Sequence, residues 1–79
     1  MKDTLTYLIK GIVEKDDAVS VTEEEDQGIV NLTVSVDPSD MGRVIGKEGK
    51  VIKAIRNVMR IPAMKQNKKI YITLAESSN

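Results

Sequence analysis

Apolar residues recur along the chain first at helical and then at alternating spacing. Leu5, Leu8, Ile9, Ile12 and Val13 fall at i, i+3, i+4, i+7 and i+8, one stripe of an amphipathic helix that Asp3 or Thr4 is placed to cap. Gly11 interrupts it at a propensity cost of up to about 1 kcal/mol, which close packing against a neighbour would explain. Lys15-Asp16-Asp17 then ends the segment in a polar turn. Val19 and Val21 alternate with Ser20 and Thr22, and Val30, Leu32, Val34 and Val36 alternate with Asn31, Thr33 and Ser35. These spacings predict two strands of an antiparallel hairpin, joined by the acidic turn Glu23-Glu24-Glu25-Asp26-Gln27-Gly28.

Asp37 stands where an N-cap belongs, with Pro38 at the first helical position and Asp40 reaching back. The short helix they start is expected to bury Met41, Val44 and Ile45, with Gly42 where two helices approach. After Gly46-Lys47-Glu48-Gly49, the residues Val51, Ile52, Ile55, Val58 and Met59 form the stripe of a longer helix. Pro62 disfavours helix at Ile61, so this helix is expected to stop near Arg60. Met64 to Lys69 reads as a basic linker, and Ile70, Ile72 and Leu74 alternate with Tyr71 and Thr73 in a last strand. The order helix, strand, strand, helix, helix, strand predicts an α+β fold. A right-handed crossover lays the last strand parallel to the second. The result is a three-stranded mixed sheet with three helices on one face and Ser20, Thr22, Asn31, Thr33, Ser35, Tyr71 and Thr73 on the wet one.

At 79 residues the chain suits a single domain, 1–79, with its core at about 3–75 and a frayed end at 76–79. It contains no Cys and no His, which removes disulfides, thiolate zinc sites and the usual nucleophile–base pairs. No catalytic residues, metal or cofactor are expected, and an enzyme is the poorest of the readings. No apolar run approaches the roughly 20 residues of a membrane span, so the chain reads as a complete cytoplasmic protein with no membrane contact. The four consecutive carboxylates at Glu23 to Asp26 lack calcium-loop spacing and read as a solvated turn.

The net charge of zero conceals an asymmetry. Residues 1–42 carry three basic and ten acidic side chains, whereas residues 43–69 carry nine basic and only Glu48 acidic. Arg43, Lys47, Lys50 and Lys53 cluster about the glycine pair Gly46 and Gly49, ahead of a helix. Glycines let a backbone approach a ligand, and helix starts favour anions. A G-x-x-G spacing arises by chance roughly 0.4 times in such a chain, so it is the flanking charge that points to phosphate. A nucleotide P-loop is excluded, because three residues rather than four separate Gly42 from Gly46 and no Ser or Thr follows Lys47.

The run Gly42-Arg43-Val44-Ile45-Gly46-Lys47-Glu48-Gly49-Lys50-Val51-Ile52-Lys53-Ala54-Ile55-Arg56 resembles the signature of KH domains, RNA-binding modules in which a G-x-x-G loop joins two helices. The element order resembles the type II arrangement. With Asp37-Pro38-Ser39-Asp40 ahead of the loop, the chain is similar to the stand-alone bacterial proteins of the KhpA family. The likeness covers nearly the whole chain, and its specific part is Asp37 to Arg56.

That resemblance implies a loop that clamps about four single-stranded nucleotides by their backbone. Amides near Lys47 and Glu48 would face phosphates, Gly46 and Gly49 would permit the approach, and Arg43, Lys47 and Lys50 would supply charge. Ile45 and Ile52 would floor an apolar groove whose other wall is the second strand. The only rings, Tyr7 and Tyr71, lie away from the loop in sequence, which disfavours folds that bind by stacking.

The resemblance further implies a single-stranded RNA partner and a role as RNA chaperone or post-transcriptional regulator in bacterial cell elongation and division. It also implies a homodimer, or a heterodimer with a larger KH-containing RNA-binding protein. Met59, Ile61, Pro62, Ala63 and Met64 form the candidate contact. The rival reading is a docking module for proteins in which nucleic-acid contact is secondary.

Overall fold

The alternation from Val30 to Val36 becomes the middle of a sheet. The computed structural model describes residues 1–75. It places α1 at Lys2–Lys10, β1 at Ser20–Asp26, β2 at Ile29–Ser35, α2 at Met41–Ile45, α3 at Lys50–Lys65 and β3 at Lys69–Leu74. The strand order is β1-β2-β3. β1 runs antiparallel to β2, from Ser20 opposite Ser35 to Asp26 opposite Ile29. β3 runs parallel to β2, from Lys69 beside Ile29 to Leu74 beside Val34. Three helices cover one face, as the spacing predicts, and Leu5, Ile9, Leu32, Val34, Val44, Ile55 and Met59 are sealed between the layers. The expected frayed end lies outside the described residues. Among them, no helix is long and apolar enough to cross a membrane.

The hairpin corrects the acidic turn. Glu23 to Asp26 are strand residues, and the turn is only Gln27 and Gly28, at φ 51° and 79°. Two successive residues at positive φ give the turn whose twist suits paired strands. Two of the carboxylates on the helix-facing side of β1 have partners. Glu23 accepts from the Lys2 amide at 3.1 Å, and Glu25 accepts from Lys68 at 2.8 Å. Glu23 therefore caps α1, which begins before Asp3 and Thr4 and has no cap from its own sequence. Gly11 sits past the end of α1 rather than within it, and an added β-carbon would meet only that helix's own carbonyls. The packing expected there is not found. Nor is it found at Gly42, where the same atom would meet nothing within 4 Å.

Asp37 caps as predicted, but it caps a single turn at Pro38–Asp40 ahead of α2. The hydroxyl and amide of Ser39 donate to its carboxylate at 2.7 and 2.9 Å, and with Lys15 nearby they hold that carboxyl below the usual range. Asp40 does not reach back. It is buried, and its two oxygens accept from the amides of Glu14 and Lys15 at 3.1 and 3.0 Å, tying the segment after α1 to the start of α2. Of the three side chains expected to be buried on α2, only Val44 is sealed. Ile45 is 37% exposed.

α3 also overruns its expected stop. It continues through Pro62 to Lys65, because Ala63 is packed into the core and the end is closed further on. Asn67, at φ 61°, lets its own amide reach Met64 O at 3.0 Å and the Lys68 amide reach Ala63 O at 2.9 Å. That is a left-handed cap satisfying the last carbonyls, and it shortens the linker.

Candidate nucleic-acid interface

α2 ends at Gly46, whose φ of 77° and ψ of 171° belong to a region that residues with a β-carbon avoid. Its amide still donates to Gly42 O at 2.8 Å. One tight turn, Lys47–Gly49, then leads into α3, with Glu48 at φ 59° and Gly49 at φ 75°. The loop's own bonds engage the amides of Gly46, Gly49 and Lys50. Those of Lys47 and Glu48 stand outside this set, as the leading amides of a helical turn do.

The cations around the loop are not equivalent. Arg43 donates to Glu14 at 2.9 Å and lies 3.8 Å from Asp40, so two carboxylates compensate it. Lys50 stands 3.9 Å from Glu48, a pair about three-quarters exposed and therefore weak. Lys47 and Lys53 have no ion pair among the described residues. Ile52 is in the core at 6% exposure, which leaves Ile45 as the apolar surface beside the loop.

The second strand is not the wall of the groove. β2 is central and paired on both edges, so the strand beside α3 is β3. Between α3 and β3 runs a cleft of about 490 Å3, lined by Lys53, Arg56, Asn57 and Arg60 on the helix and by the edge of the strand from Ile70 to Thr73. The helix residues are spaced i, i+3, i+4 and i+7, which puts them on one face leading away from the loop. Arg56 Nη2 reaches across the cleft to Ile72 O at 3.3 Å. Among the described residues no carboxylate lines it. Helical spacing in the sequence puts Lys53 and Arg60 on one face with Lys50, but Arg56, Arg60 and Tyr71 are not among the site residues it indicates, and the structure turns Lys50 to the other flank of α3.

The opposite flank of α3 differs. There α1 and α3 frame an apolar groove of about 690 Å3 lined by Tyr7, Leu8, Ile12, Val51, Ala54 and Val58. The cluster expected to mediate dimers is dispersed by the continued helix. Met59 and Ala63 are buried, Ile61 is exposed on the side of Val58, and Met64 faces β3 instead. Among the described residues, no group of three or more His, Cys, Asp or Glu is placed to hold a metal ion.

A family model described as KhpA/KhpB, KH domain, matches residues 2–74. The RNA-binding protein KhpA of Clostridium perfringens is 39% identical over 74 residues, covering 94% of this chain and 99% of that protein. Its counterpart in Halalkalibacterium halodurans is 34% identical over 76 residues, covering 96% and 100%. That of Aquifex aeolicus is 33% identical over 76 residues, covering 96% of each.

Proposed function

The chain belongs to the KhpA/KhpB KH-domain family, and from that premise we propose that it binds single-stranded RNA through the Gly46–Gly49 loop and the α3/β3 cleft. The observation that carries the reading is the junction between the two. Among the described residues, a loop with two uncommitted amides opens onto a helix face bearing Lys53, Arg56 and Arg60 with no carboxylate in the cleft. The amides and Lys47 take phosphates, and the cleft receives the following nucleotides. Positive charge held in a groove, rather than hydrogen bonds to particular bases, makes the binding tolerant of sequence. Arg43 supports the loop from beneath through Glu14 and Asp40. RNA chaperoning or post-transcriptional regulation in cell elongation and division is the setting this activity fits, and no enzymatic step belongs to it. Fluorescence anisotropy of a labelled single-stranded RNA tests the reading, using wild type and a Lys47→Asp, Glu48→Asp double variant. Loss of binding in a variant that circular dichroism shows to be folded supports it, and equal binding refutes it.

A protein contact on the other flank of α3 is compatible with this. Val58 and Ile61 are 47% and 57% exposed beside the α1/α3 groove, where Tyr7 is 80% exposed. A second copy of the chain, or a larger KH-containing RNA-binding protein, is the partner we assign there. An unchanged mass by light scattering for Ile61→Asp would remove the self-association arm.

A further inference from the structure

α3 carries two apolar faces. Ile52, Ile55, Met59 and Ala63 are buried in the core, whereas Val51, Ala54, Val58 and Ile61 fall at i, i+3, i+7 and i+10 on a separate stripe. Val51 is half-buried, Ala54 is exposed, and Val58 and Ile61 are the half-exposed residues noted above. Alternate steps of three and four residues make the seam along which one helix packs on another. Ala54, small and central to the seam, lets a second helix axis come close. Val51, Ala54 and Val58 also line the α1/α3 groove, so seam and groove are one surface.

That surface has a charged end. Its charged groups are Lys10 and Lys50, and among the described residues no carboxylate lines it. Lys10 has no ion pair among the described residues, and Lys50 has the weak one to Glu48. The two lysines lie at the same end of the groove. Lys10 closes α1, and the segment after it is tied to the start of α2 where the Glu14 and Lys15 amides donate to Asp40. α2 leads through the glycine loop to Lys50 at the start of α3. From there the apolar seam runs on for about 12 Å to Val58. The α3 of a second copy is a poor match for it. That helix bears Lys50, Lys53, Arg56, Arg60 and Lys65 and no carboxylate, so two α3 seams would set cations against cations.

Resting on the reading of this flank as a protein contact, we propose that the groove receives an acidic amphipathic helix of a different protein. The incoming helix lays an apolar stripe along Val51, Ala54, Val58 and Ile61 and presents carboxylates to Lys10 and Lys50 at the loop end. Recognition of this kind takes its affinity from apolar anchors and its partner choice from charge.

The test is anisotropy of a fluorescein-labelled, alanine-rich peptide with leucines at i, i+3, i+7 and i+10 and glutamates flanking that stripe. Its counterpart carries lysines in place of the glutamates. The acidic peptide is expected to bind wild type about tenfold tighter than the basic one at low salt, and the preference should shrink as salt rises. A Lys10→Glu, Lys50→Glu variant should reverse the order. Ala54→Arg should abolish binding of the acidic peptide, which separates the groove from the basic cleft on the other flank. All three side chains are exposed, so no change empties the core, and circular dichroism checks the fold. Equal binding of the two peptides, lost in Ala54→Arg, overturns the charge assignment while the flank remains a protein contact. Binding of neither peptide, or binding that Ala54→Arg leaves intact, overturns the proposal and the contact reading together. A doubled mass in light scattering that Ala54→Arg halves and the acidic peptide does not gives the groove to a second copy, and overturns the proposal too.

Discussion

A β-carbon added to Gly46 would lie 2.7 Å from the β-carbon of Val51 and 2.8 Å from its amide nitrogen, with one Val51 methyl closer still. The first turn of α3 is thus folded back onto the loop's first glycine, and the loop's shape depends on that absent side chain. Gly49 has the same sign of φ but open space around it. Gly46→Ala should therefore destabilise the domain by about 3 kcal/mol or more, from strain plus collision, against about 1–2 kcal/mol for Gly49→Ala. Urea unfolding measures both. Val51→Ala in the Gly46→Ala background should recover part of the loss, since it removes the colliding methyls but not the backbone strain.

Asp40 supplies a second test of how the site is held. Asp40→Ala removes the buried carboxylate that accepts from the part-buried amides of Glu14 and Lys15, and a loss of about 1–3 kcal/mol in urea unfolding is expected. Asp40→Asn keeps one acceptor oxygen and should lose less.

The pairing of Arg43 with Glu14 and Asp40 separates it from Lys47 and Lys53, which have no ion pair among the described residues. Arg43→Ala should weaken RNA binding less than Lys47→Ala does. Glu14→Gln removes the competing carboxylate and should raise affinity roughly two- to threefold at low salt, an exposed pair being worth up to about 1 kcal/mol. Anisotropy at a fixed low salt concentration checks all three.

Most of the fold was legible because its apolar periods are long and clean, as in Val30 to Val36. What escaped depended on partners distant in sequence. The cap of α1 comes from Glu23 in β1, so no local motif marks it. The acidic run became strand because β2 offers a full ladder to pair with, which outweighs turn-like composition. Pro62 reads locally as the stop of α3, whereas Asn67 closes it and Ala63 anchors the turn between them. The glycine loop was found by its residues, but its neighbours were not. Which strand faces α3 is decided by sheet order, and that order moves the groove wall from β2 to β3 and brings Arg56, Arg60 and Tyr71 into view.

Salt dependence tests the charge count. With Lys47, Lys53, Arg56 and Arg60 each neutralising one phosphate, log affinity should fall against log salt with a slope of about −3. That is a roughly 50-fold loss between about 50 and 200 mM salt. Arg60→Ala should reduce the slope by about 0.7.

The central claim is that one continuous surface, loop then cleft, receives the RNA. Titration of 15N-labelled protein with an unlabelled single-stranded RNA, followed by amide chemical shifts, tests it directly. The shifts should concentrate at 46–50, along Lys53, Arg56 and Arg60, and at Tyr71 to Thr73, while Tyr7, Leu8 and Val58 on the other flank of α3 stay still. Shifts centred on that apolar flank, or on the outer sheet face at Thr22 and Thr33 with the loop silent, would contradict it.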